Sequence, residues 1–238
     1  MEPSFDVISD LNLSRHDHFD WEGKPTSLYC IVAGNISDDL AVLRQTLLHL
    51  SAFYHGVFYI DGSLECYPIT NHSEIVNRIT EITADIPNVI YLRNNVVVVD
   101  GTALVGINGW YANEKSTENI LDGSIAETLR FDDIAYLMRT VSNLQIHTDV
   151  RDILVVTNGL PNRDLTFGSN LWVTIPNGDA PSDCLLLDSE HKIRTWVYGS
   201  YPSSSTVTID GITYHSNPKY TTSPYWPKRV TIMPRSRP

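Results

Sequence analysis

Apolar residues follow two alternating rhythms through the first two thirds of this chain. Short continuous runs at 5–9, 28–33, 57–60 and 88–92 predict buried strands, and the first three run into Asp10, Gly34 and Asp61. Between them, 38–54 carries Leu40, Leu43, Leu47 and Leu50 at spacings of three and four, the stripe of a helix packed on one face. Ser37 is placed to cap that helix, with Asp38 and Asp39 at the positive end of its dipole. Helices are likewise predicted over 73–84 (Ile75, Ile79, Ile82) and 125–146 (Ile134, Leu137, Met138, Val141, Leu144). Runs at 96–99 and 103–107 flank Asp100-Gly101, a strong two-residue hairpin signal, and 153–157 repeats the buried-strand pattern.

The last third changes character. Strands are predicted at 185–187, 194–198, 206–209, 212–215 and 229–233, with Asp210-Gly211 as a second hairpin turn. Strand–helix alternation followed by strand-rich sequence predicts two sheets packed face to face, with helices on their outer faces. One domain over 1–220 accounts for the pattern, leaving 221–238 as a Pro/Arg-rich C-terminal extension.

Composition narrows the function classes. The 238 residues are 42% hydrophobic and 19% charged, enough for a substantial core, and the net charge is −11. That balance argues against nucleic acid as a partner and against anionic membrane surfaces, because both are held by Lys and Arg. Cys30, Cys66 and Cys184 are widely spaced without a CxxC, so buried reduced thiols are expected. The N-terminus has neither a basic nor an apolar signal region and no run is long enough to span a bilayer, so the expected setting is cytoplasmic, not secreted by a signal peptide.

In α/β folds, chemistry is displayed just past the carboxyl ends of strands. Those positions hold Ser9-Asp10-Leu11-Asn12, Ala33-Gly34-Asn35, Asp61-Gly62-Ser63-Leu64-Glu65, Thr157-Asn158-Gly159 and Tyr198-Gly199-Ser200-Tyr201-Pro202. In their order, each at a strand end, they resemble the five signature blocks of the calcineurin-like metallophosphoesterases: DxH, GD, GNH[ED], a strand-end H, and GHxH. Val96 to Trp110, Leu160-Pro161 and Asn217-Pro218 add to the likeness.

The resemblance implies an α/β (α+β) four-layer sandwich of two packed mixed β-sheets flanked by helices. It also implies a two-metal phosphoesterase site, in which cations about 4 Å apart bind phosphate and activate hydroxide. The residues depart from that site. Asp10 keeps the family's carboxylate, Glu65 matches the third block, and Gly34, Gly62 and Gly199 keep the turn positions. Asn12 stands where a ligand His belongs, Asn35 where the bridging Asp belongs, and Ser63 and Leu64 where the ligand Asn and catalytic His belong. Asn158, Ser200 and Pro202 replace the remaining ligand histidines.

A degenerate member is therefore expected: a pseudoenzyme with no bound metal or cofactor, acting as a structural or protein-interaction module. Asp10, Asn35 and Asn158 are residual candidates for a weakly held cation such as Mn²⁺. The likeness extends to compact phosphoesterases carried in bacteriophage genomes, so a virion-associated or accessory role is part of the expectation. Arg15-His16-Asp17-His18-Phe19-Asp20 is metal-compatible but out of register with the first block. The alternative is a divergent metal-dependent phosphoesterase using Asp10 with His16 or His18. Tyr201, Tyr220, Tyr225 and Trp226, followed by Arg235 and Arg237, are residue types enriched at interface hot spots, and point to a protein partner or self-association.

Overall fold

In the computed structural model, residues 2–21, 24–66, 72–109, 123–166, 184–219 and 225–232 are described. Tyr220, Arg235 and Arg237 lie outside them.

The first sheet is built from β1 (Ser4–Ile8), β2 (Tyr29–Ala33), β3 (Gly56–Ile60) and β4 (Val89–Tyr91), all parallel, with helix α1 (Leu40–Ser51) between β2 and β3 and helix α2 (His72–Ala84) between β3 and β4. The second sheet opens with the hairpin β5 (Asn95–Val99) and β6 (Thr102–Gly106), turning at Asp100 (φ 49) and Gly101 (φ 80). Helix α3 (Gly123–Gln145) leads to β7 (Asp152–Thr157), which pairs in parallel with β6 and with β8 (Ile193–Tyr198). The hairpin β9 (Ser205–Ile209) and β10 (Ile212–Ser216) completes this sheet, in the order β5-β6-β7-β8-β10-β9. The chain then returns to the first sheet as β11 (Lys228–Thr231), antiparallel to β1, giving β11-β1-β2-β3-β4. Both sheets are mixed, and the four-layer arrangement follows.

Side-chain alternation shows why the layers form. In β2, Cys30 and Val32 face α1 while Ile31 and Ala33 face the other sheet; in β7, Ile153 and Val155 join the layer with α3 while Leu154 and Val156 face the first sheet. Strands covered on both faces read as unbroken apolar runs, which is the pattern these segments show. The three cysteines are free and buried.

Three local expectations are corrected. The cap of α1 is Asp39, whose carboxylate accepts from the Ala41 backbone at 2.8 Å; Ser37 Oγ instead donates to the Leu13 carbonyl. Residues 185–187 are not a strand: Leu185 is helical and 186–187 form a turn, with Leu187 N donating to Cys184 O and Leu186 left 83% exposed. The segment set apart as an extension supplies β11, so Lys228–Thr231 belongs to the first sheet.

Candidate functional site

Parallel pairing of β1, β2 and β3, and of β7 and β8, carries their carboxyl ends to one side of each sheet. The loops beyond them meet across the seam, where Asn158 Nδ2 donates to the Ala33 carbonyl at 2.9 Å. The first two loops zip together through their backbones: Asp10 N bonds Gly34 O at 3.0 Å, and Asn12 N bonds Asn35 O at 2.9 Å.

These turns are tight. Asp10, Asn12, Asn35 and Ser200 have φ of 52, 47, 57 and 51, in the left-handed region that costs an ordinary side chain energy. Gly62 and Gly199 meet a different constraint. A methyl at Gly62 would overlap Asn35 Oδ1, and one at Gly199 would overlap the Ala33 carbonyl and lie 2.8 Å from Asn158 Nδ2.

The side chains close on one another. Asn35 Nδ2 donates to Asp10 Oδ1 at 2.8 Å and to Ser200 Oγ at 3.2 Å, while Asn35 Oδ1 accepts from Leu64 N at 3.0 Å. Ser200 donates its backbone N–H to Asp10 Oδ1 at 3.0 Å and its hydroxyl to Asn158 Oδ1 at 2.9 Å. Every polar atom of the two amides is therefore engaged. Asp10 Oδ2 and the neighbouring Ser9 Oγ are buried and, among the described residues, have no hydrogen-bond partner. Burial raises the Asp10 carboxyl above its ordinary value, against the hydrogen bond from Asn35.

Glu65 braces this cluster from beneath. Its carboxylate accepts backbone N–H groups from Gly62 (2.8 Å), Asn35 (3.2 Å) and Ile36 (2.6 Å), locking the third loop to the second. Burial pushes its pKa up to about 7 even so.

Of the positions singled out from the sequence, Asp10, Asn35, Asn158 and Ser200 converge. Asn12 is exposed and turns back to the Asp10 carbonyl at 2.9 Å. Ser63 and Leu64 are half-buried, and it is the Leu64 backbone that reaches the cluster; Pro202 is exposed. The 15–18 stretch is an exposed loop, held by Asp17 accepting from Ser14 N at 2.7 Å. Among the interaction candidates, Tyr201 donates to Leu165 O and Tyr225 donates to Asn217 O while packing 5.8 Å from the Trp21 ring. Trp226 is 60% exposed, with Lys24 Nζ 5.8 Å from its ring.

A second polar centre lies just beyond β3, and motif reading missed it. Asp61 is fully buried, paired with Arg93 at 2.9 Å and accepting from Tyr91 Oη at 2.8 Å. Its carbonyl takes Asn108 Nδ2 at 2.7 Å, and Asp133 Oδ2 nearby accepts from Gly109 N at 3.0 Å. The available signal was a charge at the end of each of two apolar strands, acid after β3 and base after β4.

The cluster does not fit a pair of divalent cations. Asp10 is its one carboxylate, one of its oxygens is taken up by Asn35 and Ser200, and the amides that stand beside it are committed to Ser200 and to the backbone of Leu64 and Ala33. Two dications about 4 Å apart need several anionic donors to offset their repulsion, and neutral amides are weak donors for transition metals.

No protein-family model matches the chain, and no curated protein matches it in sequence. Solved structures do. The phosphopantetheinyl hydrolase of Mycobacterium tuberculosis is similar over 100% of this chain and 99% of its own, with a TM-score of 0.65 and 16% identity. A putative 5′-nucleotidase from Staphylococcus aureus matches 92% of this chain at a TM-score of 0.52 and 11% identity, over 49% of its own length. GAP50, described as the anchor in the inner membrane complex of Plasmodium, matches 90% of this chain and 71% of its own, at a TM-score of 0.54 and 10% identity. Identities this low speak for the fold alone: two packed mixed sheets flanked by helices, in a metallophosphoesterase-like arrangement.

Proposed function

We propose that this chain is a non-catalytic member of the metallophosphoesterase-like folds, which works by holding a partner rather than by hydrolysing a phosphate ester. The observation that carries the reading is the closed chain of hydrogen bonds Asp10–Asn35–Ser200–Asn158 at the meeting point of the strand-end loops. It satisfies the amides internally, where a hydrolytic site would turn donors toward metal and phosphate. Leu64 adds no proton donor beside it. The left-handed turns and cramped glycines persist because the loops still pack on one another, with no reaction required of them. A holding role is in keeping with a fold neighbour described as an anchor, and Trp226 offers an exposed aromatic side chain for contact.

A second reading, a divergent metal-dependent phosphoesterase, draws on one observation: Asp10 Oδ2 is buried and has no hydrogen-bond partner among the described residues. Turnover separates the two readings. The purified protein with added Mn²⁺ is expected to leave p-nitrophenyl phosphate and bis-p-nitrophenyl phosphate unhydrolysed. Turnover that disappears in Asp10→Ala overturns the proposal.

A further inference from the structure

The molecule carries a set of metal-ligating side chains outside the strand-end cluster. Asp61 follows β3, Cys66 sits in the turn after it, and His72 opens α2; one ligand atom from each lies within 4.8 Å of the other two. Among the described residues this is the one such convergence of His, Cys, Asp or Glu. We propose that Asp61, Cys66 and His72 form a site for a single borderline divalent cation, zinc foremost, which staples the β3 turn to the start of α2.

The donor set is the first argument. A thiolate, an imidazole and a carboxylate are the ligands zinc takes, with water free to complete a tetrahedron. In such a tetrahedron the ligand atoms stand about 3.5 Å apart, so the observed spread needs a contraction on the order of 1 Å. The turn holding Cys66 and the first residue of a helix can supply that movement without disturbing the sheet.

Shielding from solvent is the second. His72 is half-buried at the start of α2 and offers a ring nitrogen, and the Cys66 thiol is 1% exposed, so little water competes for the ligand atoms. A buried cysteine carries its proton as a thiol. Binding therefore exchanges the S–H bond for a sulfur–metal bond and releases one proton to solvent.

Charge is the third. The pocket sets two carboxylates, Asp61 and Asp133, against the Arg93 guanidinium. A dication with a new thiolate adds one net positive charge and offsets the surplus acid. The Asp61 oxygens already serve Tyr91 and Arg93, but each has a second lone pair for a metal. This site does not share a side chain with the Asp10 cluster.

Cobalt(II) titration of the metal-free 238-residue chain tests the proposal. One equivalent should bind with a sulfur-to-cobalt charge-transfer band in the near ultraviolet. Cys66→Ser should abolish that band, His72→Ala should weaken binding at least about ten-fold, and Asp10→Ala should leave both unchanged. No band, a band surviving Cys66→Ser, or affinity untouched by His72→Ala overturns the proposal. Should Cys66→Ser fail to fold, the half-buried His72 variant decides alone. Binding lost in Asp10→Ala but kept in Cys66→Ser overturns this site and also places metal in the strand-end cluster, whereas a silent titration leaves the non-catalytic reading standing.

Discussion

Asn35 donates its side-chain amide to Asp10 across 2.8 Å, and the two side chains come from the loops that follow adjacent parallel strands of one sheet. A carboxylate at residue 35 could not make that bond, because two ionised acids at this separation repel.

Asn35→Asp turns this relationship into a measurement. In metal-free protein the variant should lose about 3 kcal/mol of stability at about pH 8, from a broken buried hydrogen-bond pair and a like-charge contact. Acidification lets the two carboxyls share a proton, so the deficit should shrink at about pH 5. Urea unfolding at both pH values checks this; an equal deficit at both would sink the electrostatic explanation.

Gly62→Ala tests how tightly the loops are packed. Its methyl would overlap Asn35 Oδ1 and lie 2.5 Å from the Asn35 backbone nitrogen, which Glu65 also holds. A loss of about 2–4 kcal/mol is expected, since backbone must move to make room. A thermal midpoint equal to wild type would show the loops to be looser than described.

Asp133 sets a pH dependence. Burial, opposed by Arg93, raises its pKa from 3.8 to about 6, so the folded chain holds this proton more tightly than the unfolded one. The stability its proton contributes is complete below about pH 4 and is lost as pH rises through about 6. Asp133→Asn removes the titration, so the variant should gain on wild type by on the order of 2 kcal/mol between about pH 4 and about pH 7. Parallel stability curves for the two proteins would contradict the assignment.

The layered fold was legible because its cause is periodic. Strands covered on both faces are apolar throughout, and α1 shows its stripe at Leu43, Leu47 and Leu50, all buried. The convergence of Asp10, Asn35, Asn158 and Ser200 was legible as position, since each follows a strand end. What the chain order could not show was the bonding: that Ser200 would link the amides, or that Asn12 would turn outward. The Asp61–Arg93 pair escaped because its members are thirty-two residues apart and belong to no motif. Residues 185–187 misled because Cys184 and Leu185 pack beneath the second sheet while Leu186 points to solvent, so an apolar run was not a strand.

Arg93→Met probes that buried ion pair. Side-chain exposure is 8% for Arg93 and 0% for Asp61, so removing the guanidinium strands a carboxylate out of water. Metal-free protein should lose about 3–5 kcal/mol, and adding Asp61→Asn should recover part of it. Additive losses in the double variant would show the two residues to be uncoupled.

The strand-end cluster as a closed hydrogen-bond network, and not a metal centre, is tested most directly by Mn²⁺ stoichiometry. Equilibrium dialysis of wild type and Asp10→Ala should give the same bound Mn²⁺, with no Asp10-dependent equivalent. Two bound equivalents in wild type, both lost in Asp10→Ala, would contradict the account.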